Sequence, residues 1–168
     1  MVYLLDFSKL MRNILDGSRA EEISIKKEYE ILNTYLKLQQ LRFTDSFIFK
    51  INIDSQIDQE STLLPPMLLQ PFLENAIEHG IKKIQNDRQC EITLNISKRK
   101  NTLILQVLDN GPGFANEDKN KDKHISHAMK ITKERIKAIN QMKKHRIASE
   151  VSYNKPYGVS VKFEIQCL

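Results

Sequence analysis

Two short stretches carry side chains whose types and spacing could support chemistry. In PPMLLQPFLENAIEHGI, Pro65 to Ile81, Asn75 and His79 stand one helical turn apart on a largely apolar segment. In LILQVLDNGPGF, Leu103 to Phe114, an apolar strand runs into Asp109 and then into two closely spaced glycines, Gly111 and Gly113. The Asn75 amide oxygen is a neutral ligand suited to a hard cation when other groups bring the negative charge. Its plainer use is to satisfy a nearby backbone group. Asp109, fixed at a strand end, can accept a hydrogen bond from an amine and would reject a carbonyl in the same place. An Asp-Asn-Gly turn also closes many ordinary strands. Gly111 and Gly113 leave room for close approach. Glu74 is either a base that polarises an attacking group or a solvated helix charge. His79 is either a ligand-facing imidazole or a cap.

The elements that must position these groups follow from periodicity. Leu69, Phe72, Leu73, Ala76 and Ile77 form a core-facing helical stripe, with Pro71 in the first turn and Gly80 as the expected stop. Upstream, residues 3–16 read as an amphipathic helix that Gly17 would end. Ser24 then caps a second helix carrying Ile25, Tyr29, Leu32 and Leu36 through about Arg42. At Phe47 the period changes to two, with Phe49, Ile51 and Ile53 alternating against Lys50 and Asn52. Glu91 to Ser97 and Thr102 to Asp109 alternate as a hairpin. Asn116 to Lys123 is an all-polar loop, expected to be a mobile lid. A helix with Met129, Thr132, Ile136 and Ile139 inward comes next, and Ile147 to Tyr153 with Val159 to Gln166 close the chain as a second hairpin. This order implies an α+β fold: a two-layer α/β sandwich of a mixed sheet with helices on one face, preceded by an N-terminal helical hairpin. The expected division is a helical segment over residues 1–44 and a second domain over residues 45–168.

At 168 residues the chain can build one core with a helical appendage. No apolar run has the length of a membrane span, and no signal peptide is evident. Cys90 and Cys167 lack metal-ligand spacing and read as reduced thiols, which implies a cytoplasmic location. The net charge of +5 collects in Lys98, Arg99 and Lys100 and in Lys119, Lys121 and Lys123. Aromatic residues do not alternate with these clusters as a base-stacking surface requires, so nucleic acid is not the expected partner.

Together the two chemical stretches resemble the N box and first glycine box of the sensor histidine kinases. Those proteins belong to the ATP-binding superfamily that also holds gyrase, Hsp90 and MutL. The likeness is to the LytS-like branch, through Pro66, Leu69 to Pro71, Glu74 to Ala76 and His79 to Gly80, with Glu134 and Arg135 on the later helix. Glu28 to Phe43 resembles the segment that joins the phosphoacceptor helix to the ATP-binding domain in that branch. The resemblance implies the histidine kinase-type ATPase fold and binding of ATP with Mg2+. Glu74 and Asn75 would be catalytic, with Asn75 also the metal ligand. Asp109 would receive the adenine amine, selecting adenine over guanine. His79, Gly111, Gly113, Ser126, Ala128 and Met129 would complete the nucleotide site.

Two features depart from the pattern. Glu78 stands where a cation is common, with Lys82 or Lys83 as substitutes, and Ser126, His127, Ala128 and Met129 replace Gly-x-Gly-Leu. The branch's His-Phe-x-Phe-Asn motif is absent from the 168 residues. The phosphoacceptor histidine is therefore expected on an adjoining helix of a longer, membrane-anchored, dimeric kinase that passes phosphate to a response regulator. A nucleotide-binding regulatory module without phosphotransfer is the alternative. An ATP-driven clamp of the gyrase or MutL kind is disfavoured for want of a transducer domain.

Overall fold

Apolar and polar alternation becomes the two faces of a sheet in the computed structural model, which describes residues 2–43, 46–81, 89–111, 122–142, 145–153 and 158–167. In chain order the elements are α1 (Val2–Arg19), β1 (Ile23–Ser24), α2 (Ile25–Arg42), β2 (Phe47–Ile53), β3 (Leu63–Leu64), α3 (Gln70–Ile81), β4 (Cys90–Arg99), β5 (Thr102–Asp109), α4 (Asp122–Gln141), β6 (His145–Tyr153) and β7 (Val159–Cys167). The main sheet runs β2-β4-β5-β7-β6. Only β2 and β4 pair in parallel there, because α3 carries the chain back between them; the other neighbours are antiparallel.

One sheet face carries Ile92, Leu94, Ile96, Leu103, Leu105, Val107, Val161, Phe163 and Ile165, all buried. They join Leu69, Phe72, Leu73 and Ile77 of the α3 region and Ile136 of α4 in a single apolar cluster. Phe72 and Phe163 meet edge to face with ring centres 5.4 Å apart. The other face is polar: Asn52 Nδ2 donates to Asn95 Oδ1 at 2.9 Å, Lys50 pairs with Glu91 at 2.6 Å, and Gln106 Nε2 donates to Ser160 Oγ at 2.9 Å. This is the expected α+β sandwich. Among the described residues no helix is long and apolar enough to cross a membrane.

Ser24 caps α2 as expected, its Oγ accepting the Lys27 amide at 3.2 Å. The two glycine stops are corrected. A glycine ends a helix by turning left-handed, and Gly17 instead remains within α1 with its Cα hydrogen side against Ile31 and Pro66; a Cβ there would lie 3.8 Å from Ile31 Cδ1. Gly80 likewise falls inside α3, which continues to Ile81. A third correction concerns α4. It begins at Asp122, so Lys123 is helical rather than loop and Ser126 sits a turn inside. The short β1-β3 pair, Ile23 opposite Leu64 and Ser24 opposite Leu63, has no counterpart in the periodicity. It ties the start of α2 to the approach of α3. Lys27 Nζ reaching Asn13 Oδ1 at 2.7 Å joins α1 to α2, and buried His145 contacts the Glu22 carboxylate through Nε2.

Candidate functional site

The strand registers gather several chain ends at one end of the sheet. Asp109, last in β5, lies opposite Ile92 near the start of β4, and Leu108 lies opposite Ser160 near the start of β7. Tyr153, last in β6, pairs with Val159. Helix α3 packs on β4 and β5, and its C-terminal end leads back towards the start of β4.

Asp109 is the chemically distinctive group there. One carboxylate oxygen accepts the Gly111 amide at 2.9 Å, and Gly111 itself is buried. Burial pushes the Asp109 carboxyl above its ordinary range, while the Gly111 and Val159 backbone amides pull it back. Neighbouring Asn110 is a structural latch: its Oδ1 accepts the Glu91 amide at 2.7 Å and its Nδ2 donates to the Gln89 carbonyl at 3.0 Å. Burial, and then the nearby Asp109 charge, raise the Cys90 thiol to about 11, so this buried cysteine stays protonated and unreactive at neutral pH. Gly158 closes the site from β7. Its φ is +101°, and a Cβ there would lie 2.2 Å from the Asp109 carbonyl oxygen. Only glycine permits that approach.

Helix α3 separates its polar side chains. Glu74 and Glu78 are both exposed and lie towards Tyr35 of α2, whose hydroxyl is pushed up first by burial and then by these two carboxylates. Gln70 Nε2 donates to Glu74 Oε1 at 2.9 Å. Asn75, half-buried, lies on the adjoining face, and its Nδ2 is buried without a hydrogen-bond partner. Amide oxygen and nitrogen exchange on a flip, so the same buried position can present either a donor to a ligand oxygen or an acceptor to a cation. That orphan suits an amide meant to meet a ligand or metal. Among the described residues no group of three His, Cys, Asp or Glu side chains could hold a metal ion. A magnesium ion ligated mainly by phosphate and water needs no such group, so the residues present fit that mode of binding.

The backbone of His79 continues α3, and those of Ser126, Ala128 and Met129 lie within α4, but their side chains fall outside the described residues, as do Gly113, Lys82, Lys83 and the 116–121 stretch of the expected lid. Of the expected site residues, Asp109 and Gly111 are joined directly; Glu74 lies towards α2, beside the face that carries Asn75. The approach of Gly158 to Asp109 joins distant parts of the chain and could not be read from the sequence. Glu28 had no assigned role, although Ile25, Glu28 and Leu32 share one helical stripe, and it is buried with them.

The chain is similar to known proteins in sequence and in fold. The family described as histidine kinase matches residues 2–47. The chain is 36% identical over 111 residues to the sensor protein LytS of Bacillus subtilis, covering 66% of this chain and 18% of LytS. A second Bacillus subtilis protein, YwpD, is 31% identical over 163 residues, covering 95% of this chain and 56% of YwpD. The chain thus spans only part of these relatives. In fold it is similar to the catalytic domain of histidine kinase ThkA, with a TM-score of 0.57 and 14% identity over 87% of this chain and 95% of that one. It is also similar to the histidine kinase domain of the Erythrobacter litoralis EL346 blue-light activated kinase, with a TM-score of 0.58 and 12% identity over 98% of this chain and 73% of that one.

Proposed function

We propose, for a chain that belongs to the LytS-like sensor histidine kinases, that it is the ATP-binding catalytic part of such a kinase. In this reading Asp109 accepts a hydrogen bond from the exocyclic amine of adenine, and the Gly111 backbone lets the base approach. Asn75 supplies an amide oxygen to Mg2+, which would neutralise phosphate charge and align the terminal phosphoryl group. Glu74 polarises the incoming imidazole from the side of α3 that faces α2. The phosphorus of the γ-phosphate then bonds to the imidazole nitrogen as its bond to the bridging oxygen breaks, leaving ADP. The accepting histidine lies outside these 168 residues. Residues 1–44 belong to the dimerising and linking region and residues 45–168 to the nucleotide domain. The solved complex of ThkA with the response regulator TrrA supports a response regulator as the next partner.

The observation that carries this reading is the setting of Asp109: a half-buried strand-end carboxylate held by the Gly111 amide, with its own carbonyl approached by the Gly158 backbone just before β7. The test is titration of a non-hydrolysable ATP analogue with and without magnesium. A peptide bearing the phosphoacceptor helix is then supplied with ATP. Magnesium-assisted binding and an acid-labile phosphohistidine are expected; no adenine nucleotide binding refutes the reading. One observation favours a second reading, a nucleotide-binding regulatory module without phosphotransfer. Exposed Glu78 puts a carboxylate where a phosphate-holding cation is usual. Binding without any phosphohistidine would support it.

A further inference from the structure

Helix α2 is fastened to the chain that leads into α3. Beyond the β1-β3 pairing, the Ile25 amide donates to the Thr62 carbonyl and the Lys26 amide to the Gln59 carbonyl, each at 3.0 Å. One turn into the helix, Glu28 is buried at 1% exposure, and neither carboxylate oxygen has a hydrogen-bond partner. A lone carboxylate is an expensive occupant for a helix's apolar stripe, where a hydrocarbon side chain would serve packing better.

What faces that carboxylate comes from two other elements. Met67, just after Pro65 and Pro66 and just before α3, takes a left-handed φ of 60°, which is unfavourable for a side-chain-bearing residue. Its amide faces Glu28 without closing a hydrogen bond of normal geometry. From α4, the half-buried Arg135 guanidinium supplies the opposite charge. Burial raises the Glu28 carboxyl to about 7, against the pull of the Met67 amide and Arg135. The carboxylate therefore sits where α2, the entrance to the Asn75 helix, and α4 meet.

We infer that Glu28 is a positioning residue for the nucleotide site, coupling the seating of α2 to Asn75 through the Met67 backbone and to α4 through Arg135. The inference rests on the proposed function for its consequence, since the site being positioned is the one assigned to ATP. A displacement of α2 would move the carboxylate that faces the Met67 amide and Arg135 together, altering both helices that flank the expected phosphates. A carboxylate retained for packing alone would show no such linkage.

The test uses the full 168-residue chain as wild type, Glu28→Gln, Arg135→Gln and the double variant. Affinity for a fluorescent ATP analogue with magnesium is measured beside melting temperature and hydrogen exchange over Gln70–Ile81. Glu28→Gln should weaken binding about fivefold or more without lowering the melting temperature, and should speed exchange in α3. Arg135→Gln should weaken binding by a similar factor, and the double variant should bind no worse than the weaker single one. Unchanged affinity in Glu28→Gln, or losses that multiply in the double variant, overturn the inference. Should Glu28→Gln not fold, unchanged affinity in Arg135→Gln overturns it instead. If the wild type binds no adenine nucleotide, the proposed function fails separately; the positioning role is then decided by ligand-free exchange in α3, and unchanged exchange overturns it.

Discussion

Replacing Glu28 by glutamine should stabilise the protein above neutral pH and do little in acid. The side chain is 1% exposed, so solvent does not screen it, and burial raises its carboxyl from the ordinary 4.5 to about 7. A folded-state value above the unfolded one means the folded chain holds the proton more tightly. Stability from this group is therefore fully present below about pH 4.5 and is lost as pH rises through about 7. At about 1.4 kcal/mol per pH unit, the loss is about 3 kcal/mol by pH 8. Glutamine has no proton to lose and avoids it. For a domain of this size that difference corresponds to about 6 to 12 °C in melting temperature. The assay is urea unfolding of wild type and Glu28→Gln from pH 5 to pH 8, read as the difference between the two so that other titrating groups cancel. A difference that stays flat across that range, or a variant less stable than wild type at pH 8, would refute the reasoning.

Other perturbations address the pocket directly. Asp109→Asn should remove about 1.5 to 3 kcal/mol of adenine nucleotide binding with the fold intact; calorimetry that finds GTP bound as well as ATP by the wild type counts against the adenine contact. Asn75→Ala should abolish the magnesium effect on affinity more than binding itself, and an unchanged magnesium effect would leave Asn75 a structural role. Gly158→Ala should cost at least about 1 to 3 kcal/mol in thermal or urea unfolding, because the added Cβ would meet the Asp109 carbonyl oxygen at 2.2 Å on a backbone at φ +101°. The same variant should weaken ATP binding in the fraction that folds. Wild-type stability in Gly158→Ala would show that this backbone approach relaxes without cost.

How much of this was legible in the sequence depended on whether the signal was periodic. The strands and the inward faces of α3 and α4 followed from spacing, because the buried residues of each recur at two or at three to four positions. Helix ends did not, since a glycine stops a helix only when its backbone turns left-handed. Gly17 instead stays helical beside Ile31 and Pro66, where an added Cβ would make only ordinary contacts. The start of α4 was hidden because an all-polar charged stretch reads as loop, although lysine and glutamate are good helix formers. Two-residue strands such as β1 and β3 leave no pattern. In the site, Asp109 and Asn75 stood out by residue type, but Gly158 against the Asp109 carbonyl joins distant parts of the chain. Glu28 was given no role for a related reason: only the packing of α2 shows this first-turn glutamate enclosed.

The parallel pairing of β2 with β4 also bears on the order in which the molecule assembles. β4 with β5 and β6 with β7 are hairpins of neighbouring segments, so each can close early over a short loop. β2 has to wait for α3 to be laid across the sheet before it can find β4. The helical segment upstream is continuous with that late edge strand and is also held by the β1-β3 pair, the Glu22 contact to His145 and its share of the apolar core. Folding should therefore end with the docking of α1, α2 and β2 onto a sheet already formed, and unfolding should begin there. The part of the chain expected to adjoin the phosphoacceptor is then also the part that loosens first.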